Sequence, residues 1–171
     1  MIIYCKNKHT LEVDDFKFRC SIGKNGKSKK KKEGDKKPPI GQFAIENLYY
    51  RSDRIKKPST KLKCIKIKKN MGSCDDPLDI KNYNKLIKLN KKIKCEKLYR
   101  KDYKYDLLIP IKYNFLKPAK LKGSCIFIHL TNNYKPTLGC IAIKKRDFLI
   151  NSILIFSRSL KIGIGKLLKT I

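Results

Sequence analysis

Two residues in the last third of the chain carry the side chains that thiol-based acyl transfer requires. Cys140 follows Gly139 and opens a short apolar run, and His129 lies in the apolar run before it. A cysteine and a histidine that meet across a hairpin are the minimal parts of a nucleophile and its base. Taken singly, each residue also allows an ordinary alternative, a structural histidine and a small buried thiol.

The residues around Cys140 suit the same chemistry. Gly139 relaxes the backbone before the thiol, so neighbouring amides could form an oxyanion hole. We therefore assign Thr137, Leu138 and Gly139 to the oxyanion-binding backbone. The chain has seven cysteines but no Cys-x-x-Cys pair, which disfavours a zinc site. We expect neither a metal nor another cofactor, and we expect mostly buried free thiols.

The composition favours one folded domain, residues 1–171, with a strongly basic surface. The formal net charge is +29 and hydrophobic residues make up 41% of the chain. Such a charge attracts polyanions non-specifically. Basic residues are spread along the whole sequence, however, so no face is set apart for nucleic acid and no obligate nucleic-acid partner is expected.

Targeting signals and membrane spans are not evident. The apolar start, Met1 to Cys5, gives way at once to Lys6, which is too short for a signal peptide. The longest later apolar stretches, 107–111 and 148–156, are too short or too interrupted for a membrane span. On the absence of a signal alone the cytoplasm is expected, and the sequence leaves the location open.

Many short strands and one late helix are predicted. Two strands lie within residues 1–22, and others at 42–50, 61–67, 103–113, 124–130, 141–143 and 160–164, whereas 86–98 fits a helix or a strand. The helix covers 145–156, with its apolar stripe at Phe148, Leu149, Ser152, Ile153 and Phe156. This pattern predicts a mainly β protein, a sandwich or partly closed barrel, with a flexible loop at 23–40.

Strand periodicity assigns side chains to faces. In 124–130, Ile126, Ile128 and Leu130 share one face, and Cys125, Phe127 and His129 share the other. In 103–113, one face is predicted to carry Tyr105, Leu107, Ile109 and Ile111.

The chemistry-bearing segments also form a recognisable pattern. His129 lies in Gly123 to Leu130, which is similar to a Gly-Ser-x-Ile-Phe-x-His-Leu strand, and Thr137 to Ile141 matches Ser/Thr-x-Gly-Cys followed by an apolar strand. With these motifs the chain resembles the YkuD-like L,D-transpeptidase family, in its compact branch without a secretion signal. Other segments extend the resemblance over roughly residues 19 to 164: Lys32 to Phe43, Tyr50 to Arg54, Cys74 to Pro77, Tyr83-Asn84, and Glu96 to Asn114.

The chain departs from the family at two positions beside the candidate site. Leu138 stands where many members carry a second histidine, and Leu130 follows His129 where the wider family has glycine. Neither leucine can orient an imidazole by hydrogen bonding. A backbone carbonyl is therefore expected to hold the ring of His129.

The resemblance implies a β-sandwich L,D-transpeptidase that acts on peptidoglycan stem peptides, and hence a role in the cell envelope. Cys140 would attack the peptide carbonyl, and His129, as imidazolium, would lower the pKa of the thiol and shuttle the proton. Glu96 is assigned to substrate binding. The arginines Arg51, Arg54 and Arg100 either bind stem carboxylates or form surface ion pairs. The acyl-enzyme would pass to an amine or, as in a carboxypeptidase, to water. The alternative is a non-catalytic, strongly basic protein that binds nucleic acid or a wall polymer.

Overall fold

The computed structural model describes residues 2–29, 31–45, 47–89, 95–154 and 160–165. Within these ranges the protein is mainly β, as predicted, with thirteen strands and one helix. The strands are β1 (Ile2–Cys5), β2 (Thr10–Val13), β3 (Phe16–Ser21), β4 (Gly41–Ile45), β5 (Asn47–Tyr50), β6 (Lys63–Lys66), β7 (Met71–Ser73), β8 (Leu86–Lys88), β9 (Glu96–Lys97), β10 (Leu107–Pro110), β11 (Phe127–Leu130), β12 (Ile141–Ile143) and β13 (Leu160–Ile164). The helix is α1 (Lys145–Leu154).

Ten of the described strands form one curled sheet, in the order β4-β13-β1-β2-β3-β12-β11-β10-β5-β6. The centre of this sheet holds β11 between the antiparallel β10 and the parallel β12. Because a parallel pair needs a crossover connection, residues 131–140 leave the sheet between β11 and β12. This connection delivers Cys140 to the start of β12.

The two faces of β11 belong to two different cores. Ile128 and Leu130 are buried with Phe148 of α1 in the larger core. Phe127, on the opposite face, is buried with Leu108 and Leu98 in the smaller core. The predicted face assignment of this segment is therefore confirmed, although the regular strand begins at Phe127 rather than at residue 124.

A second, three-stranded sheet in the order β8-β7-β9 packs over the face that carries Phe127. Its central strand ends at Ser73, whose hydroxyl oxygen accepts a hydrogen bond from the Cys125 thiol at 2.9 Å. Ser73 also pairs in register with Glu96 of β9. These contacts fix the small sheet, and with it Glu96, relative to the segment that leads into β11.

Several predicted boundaries were wrong in instructive ways. Residues 1–22 hold three strands rather than two. The segment 103–113 contributes only β10, because a turn closed by the Asp106 amide on the Tyr103 carbonyl at 2.9 Å precedes it. That turn breaks the two-residue period, so Tyr105 lies in the smaller core whereas Leu107, Ile109 and Ile111 lie in the larger one.

Other segments are subdivided. The predicted strand 42–50 is β4 and β5, which pair with β13 and β10 respectively. The ambiguous segment 86–98 contributes β8 and β9, and residues 90–94 lie outside the described ranges. Strands within 61–67, at 141–143 and at 160–164 are confirmed.

The late helix is confirmed, with a different buried face. Phe148 and Ser152 are buried as predicted, but Ile153 is 55% exposed and Asn151 is buried in its place. Phe156 lies outside the described residues. None of the helical residues in the described ranges forms a segment with the length and apolarity that a membrane crossing needs.

Candidate active site

The loop before β12 presents the Cys140 thiol. The Thr137 hydroxyl donates to the Cys140 carbonyl at 2.6 Å and accepts from the Gly139 amide at 3.2 Å, which closes the loop into a tight turn. Gly139 adopts a φ of 137°, in a region that residues with a Cβ rarely occupy. A glycine before the thiol is therefore a conformational requirement of this turn. Because the Gly139 amide is already bonded to Thr137, its predicted oxyanion role would need that bond to open.

Cys140 and His129 lie on the same face of the large sheet. In the β11–β12 register His129 is opposite Ala142, two residues beyond Cys140, and residues two apart on a strand share a face. The Cys140 sulfur accepts from the Phe127 amide at 3.4 Å and donates to the Cys125 carbonyl at 3.4 Å. The thiol is thus held against the segment that carries His129.

The imidazole is oriented by backbone and ring contacts. Nδ1 of His129 lies 2.9 Å from the Leu130 carbonyl oxygen, so Nδ1 carries the proton there and Nε2 is left as the acceptor. The expectation that a backbone carbonyl holds the ring is confirmed. The Tyr105 ring packs edge-on against the imidazole, with centroids 5.4 Å apart at 70°.

Both side chains line a cavity of about 500 Å³. Its wall includes Thr137, Leu138 and Gly139 from the cysteine loop. From the small sheet and the turn after it, Glu96, Arg100 and Tyr105 contribute to the same wall. A cavity of this size can enclose a peptide segment. The cavity wall carries a thiol, an unprotonated imidazole nitrogen and charged side chains.

The model of the YkuD L,D-transpeptidase catalytic domain matches residues 1–150. The chain belongs to the YkuD family. No curated protein and no solved structure matches the chain.

Burial of this YkuD site acts against charge on both Cys140 and His129. Desolvation, and then the Glu96 carboxylate, raise the pKa of the Cys140 thiol to about 12, although the Phe127 amide and Lys31 oppose them. Desolvation lowers the pKa of His129 to about 4, against the effect of the Leu130 carbonyl. At neutral pH the pair is therefore a thiol beside a neutral imidazole. This differs from the imidazolium that we expected to lower the thiol pKa, because burial among packed protein groups disfavours the charged form of each side chain.

Charged and phenolic groups form a network behind the thiol. The Tyr105 hydroxyl donates a short hydrogen bond to Glu96 Oε1. Arg100 makes two bonds to Asp102, at 2.9 and 2.7 Å, and its guanidinium lies 4.0 Å from Glu96. Burial raises the pKa of Glu96. Of the three arginines assigned to substrate carboxylates, Arg100 is the one that lines the cavity.

Arg51 and Arg54 lie outside the cavity wall and hold neighbouring turns together. Arg51 is buried, bonds Asp53 through two nitrogens at 2.8 and 2.7 Å, and stacks 3.5 Å over the Tyr99 ring. Arg54 bonds Asp106 at 3.0 Å and two backbone carbonyls. The alternative prediction for these two residues, ion pairing, fits the structure, since their guanidinium groups bond carboxylates and backbone carbonyls of the protein itself.

Sequence reasoning missed a lysine that lines the same cavity as Cys140. The Lys31 side chain is 3% exposed, lines the cavity and bonds Asp35 at 2.8 Å. It lies against Gly123, where an added Cβ would come within 2.7 Å of its side chain. Glu33, on the same loop, accepts from Tyr83 at 2.5 Å and Ser124 at 2.9 Å. In a run of lysines nothing marks Lys31, and only its spacing to Asp35 could have identified it.

The seven cysteines, all within the described residues, are free thiols. Four of them, Cys5, Cys20, Cys74 and Cys125, are buried, in agreement with the expectation of mostly buried thiols. In the described ranges no three His, Cys, Asp or Glu side chains converge to hold a metal ion.

Proposed function

We propose that the protein is a cysteine-dependent L,D-transpeptidase acting on peptidoglycan stem peptides through an acyl-thioester on Cys140. The observation that carries the proposal is the shared cavity of Cys140 and His129, in a chain of the YkuD family. A thiol and an imidazole that line one cavity are the side chains that a nucleophile and its base require.

In the first half-reaction His129 acts as a general base. Its Nδ1 proton is held by the Leu130 carbonyl, so Nε2 takes the proton as the Cys140 sulfur attacks the carbonyl that precedes the terminal D-Ala. The carbon–nitrogen bond then breaks, the thioester forms, and the imidazolium returns the proton to the amine of the departing D-Ala. Proton transfer coupled to attack suits this site, because the resting thiol and imidazole are both neutral.

In the second half-reaction the thioester is consumed by an amine of another stem, which gives a crosslink, or by water, which gives a shortened stem. Either route regenerates the Cys140 thiol. Acyl transfer through a cysteine thioester needs no metal or organic cofactor in this scheme.

The proposal is tested by mass spectrometry of the protein after incubation with a synthetic tetrapeptide stem ending in D-Ala, or with a carbapenem as a trapping acylating agent. We expect an adduct on the Cys140 peptide, loss of that adduct in Cys140→Ser, and acylation slower by at least about a hundredfold in His129→Gln. Cys64→Ser is the matched control, since Cys64 is also a half-buried thiol and lies outside the cavity wall.

Labelling that survives in Cys140→Ser would refute the assignment. A second result would also refute it. In that result the donor peptide stays intact, and the protein binds nucleic acid or an anionic wall polymer tightly, with a steep salt dependence that is the same in Cys140→Ser. That result would favour the non-catalytic alternative, in which the charge of +29 is the functional feature.

A further inference from the structure

Glu96 occupies a position that the first half-reaction does not explain. Its carboxylate lines the cavity and is 27% exposed, so a ligand can reach it. It is also the carboxylate whose negative charge raises the Cys140 pKa. A negative charge beside the thiol disfavours the thiolate, so Glu96 acts against acylation.

The same charge suits the step that follows acylation. The thioester is neutral, so Glu96 no longer opposes an anion on Cys140 once the acyl group is attached. The incoming amine, by contrast, arrives at neutral pH as an ammonium ion, which a carboxylate attracts and which must lose a proton before it can attack. A partly exposed carboxylate on the wall of the same cavity meets both needs.

The ion pair of Glu96 with Arg100 is long. Nη1 of Arg100 lies 4.0 Å from Glu96, while its Nε and Nη2 bond Asp102, so the exposed part of the Glu96 carboxylate is still open to a second cation. The Tyr105 hydroxyl donates to one carboxylate oxygen and fixes its direction. Asp75, on the same cavity wall, adds negative charge that raises the Glu96 pKa. The side chain is thus held in place, and its proton affinity is increased.

We infer that Glu96 binds the ammonium group of the acyl acceptor and removes its first proton. This inference rests on the proposed function and adds a residue with a role in the second half-reaction. Glu96 takes one proton from the ammonium, and the resulting amine attacks the thioester carbonyl. His129 takes the second proton from the attacking nitrogen, the carbon–sulfur bond breaks, and His129 passes that proton to the Cys140 sulfur. The products are the amide, the free thiol and a protonated Glu96, which then loses its proton to solvent.

The test is the partition of one acyl-enzyme between an amine and water. The full chain is acylated with the tetrapeptide stem, and glycinamide, which is cationic at pH 7, is added at a fixed concentration. The ratio of amide to acid product depends only on steps after acylation, so slower acylation does not affect it. We expect Glu96→Gln, which keeps an oxygen for the Tyr105 hydroxyl, to lower this ratio on the order of a hundredfold.

Two controls separate the role of the carboxylate from other effects. Glu12→Gln makes the same change of charge on β2. Glu12 lies outside the cavity wall and forms an ion pair with Lys6 at 3.4 Å. The ratio of amide to acid product in this variant is expected to equal that of the unmodified protein. Hydroxylamine, which is largely unprotonated at pH 7, needs no base. Partition to hydroxylamine in Glu96→Gln is therefore expected to stay within about twofold of the unmodified protein.

The outcomes are distinguishable. An unmodified protein that forms no Cys140 adduct refutes the proposed function and this inference with it. Adduct formation with an unchanged glycinamide ratio in Glu96→Gln overturns the inference alone. Equal loss of partition to glycinamide and hydroxylamine also overturns it, since a residue that only shapes the cavity would affect both nucleophiles.

Discussion

Alkylation of Cys140 as a function of pH distinguishes a neutral catalytic pair from an ion pair. The thiol pKa rises from an ordinary 9.0 to about 12, and each pKa unit changes the thiolate fraction tenfold below the pKa. The thiolate at pH 7 is then about a thousandfold scarcer than for an ordinary cysteine, which corresponds to about 4 kcal/mol. Because only the thiolate reacts, the alkylation rate reports this fraction directly.

The assay is iodoacetamide labelling between pH 6 and 10, quantified at the Cys140 peptide so that the other thiols do not contribute. We expect the logarithm of the rate to rise with a slope of about one per pH unit over the whole range. His129→Ala is expected to change the rate at pH 8 by less than about threefold, since the imidazole carries no charge there and its pKa is about 4.

An imidazolium–thiolate pair would give a different result. The rate would be nearly independent of pH from 6 to 8, and His129→Ala would lower it by orders of magnitude. Observation of such a plateau would refute the reasoning that burial governs this pair. The thiol's hydrogen bond to the Cys125 carbonyl, at 3.4 Å, favours the protonated form and hence the sloping profile.

Three further predictions concern stability and backbone geometry. The pKa of His129 falls from 6.5 to about 4 on folding, so its contribution to the free energy of unfolding is fully present above pH 6.5 and is lost as the pH falls through 4. Urea unfolding at pH 7 and at pH 4.5 should therefore show an acid-induced loss of stability that is about 2 kcal/mol smaller in His129→Gln than in His9→Gln, the control at an exposed site. In Gly139→Ala the new side chain must adopt a φ near 137°, so we expect a loss of about 1–3 kcal/mol in the free energy of unfolding and slower acylation. Unchanged thermal melting together with unchanged carbapenem labelling would contradict this expectation. Arg51→Lys loses the two-nitrogen bond to Asp53. Urea unfolding should show a loss of about 1–3 kcal/mol, and the KM for the donor peptide should stay unchanged. A severalfold rise in that KM would instead support a role for Arg51 in substrate binding.

Local sequence determined the elements that hold Cys140. A two-residue period is a property of the strand backbone itself, so the faces of the segment leading into β11 could be assigned without a structure, and both cores agree with them. The need for glycine before Cys140 is also local, because a φ of 137° excludes side chains wherever the residue lies.

Other assignments failed where a short local interaction interrupted the period. A turn at Tyr103 to Asp106 moved Tyr105 from the face of Leu107 to the opposite face. In its observed position the Tyr105 ring packs edge-on against the imidazole of His129. Turns of this kind depend on few residues, and many sequences satisfy them, so periodicity cannot reveal them.

Tertiary structure alone decided the electrostatics of the site. Cys140, Glu96 and Lys31 come from three distant parts of the chain, and their charges interact because β12, β9 and the loop before β4 meet at one cavity. Desolvation raises the pKa of an acid such as the Cys140 thiol and lowers that of a base such as the His129 imidazole. Residue types therefore established that a thiol and an imidazole are present, whereas desolvation by packed neighbours, which has no local sequence signal, determined that both are neutral at rest.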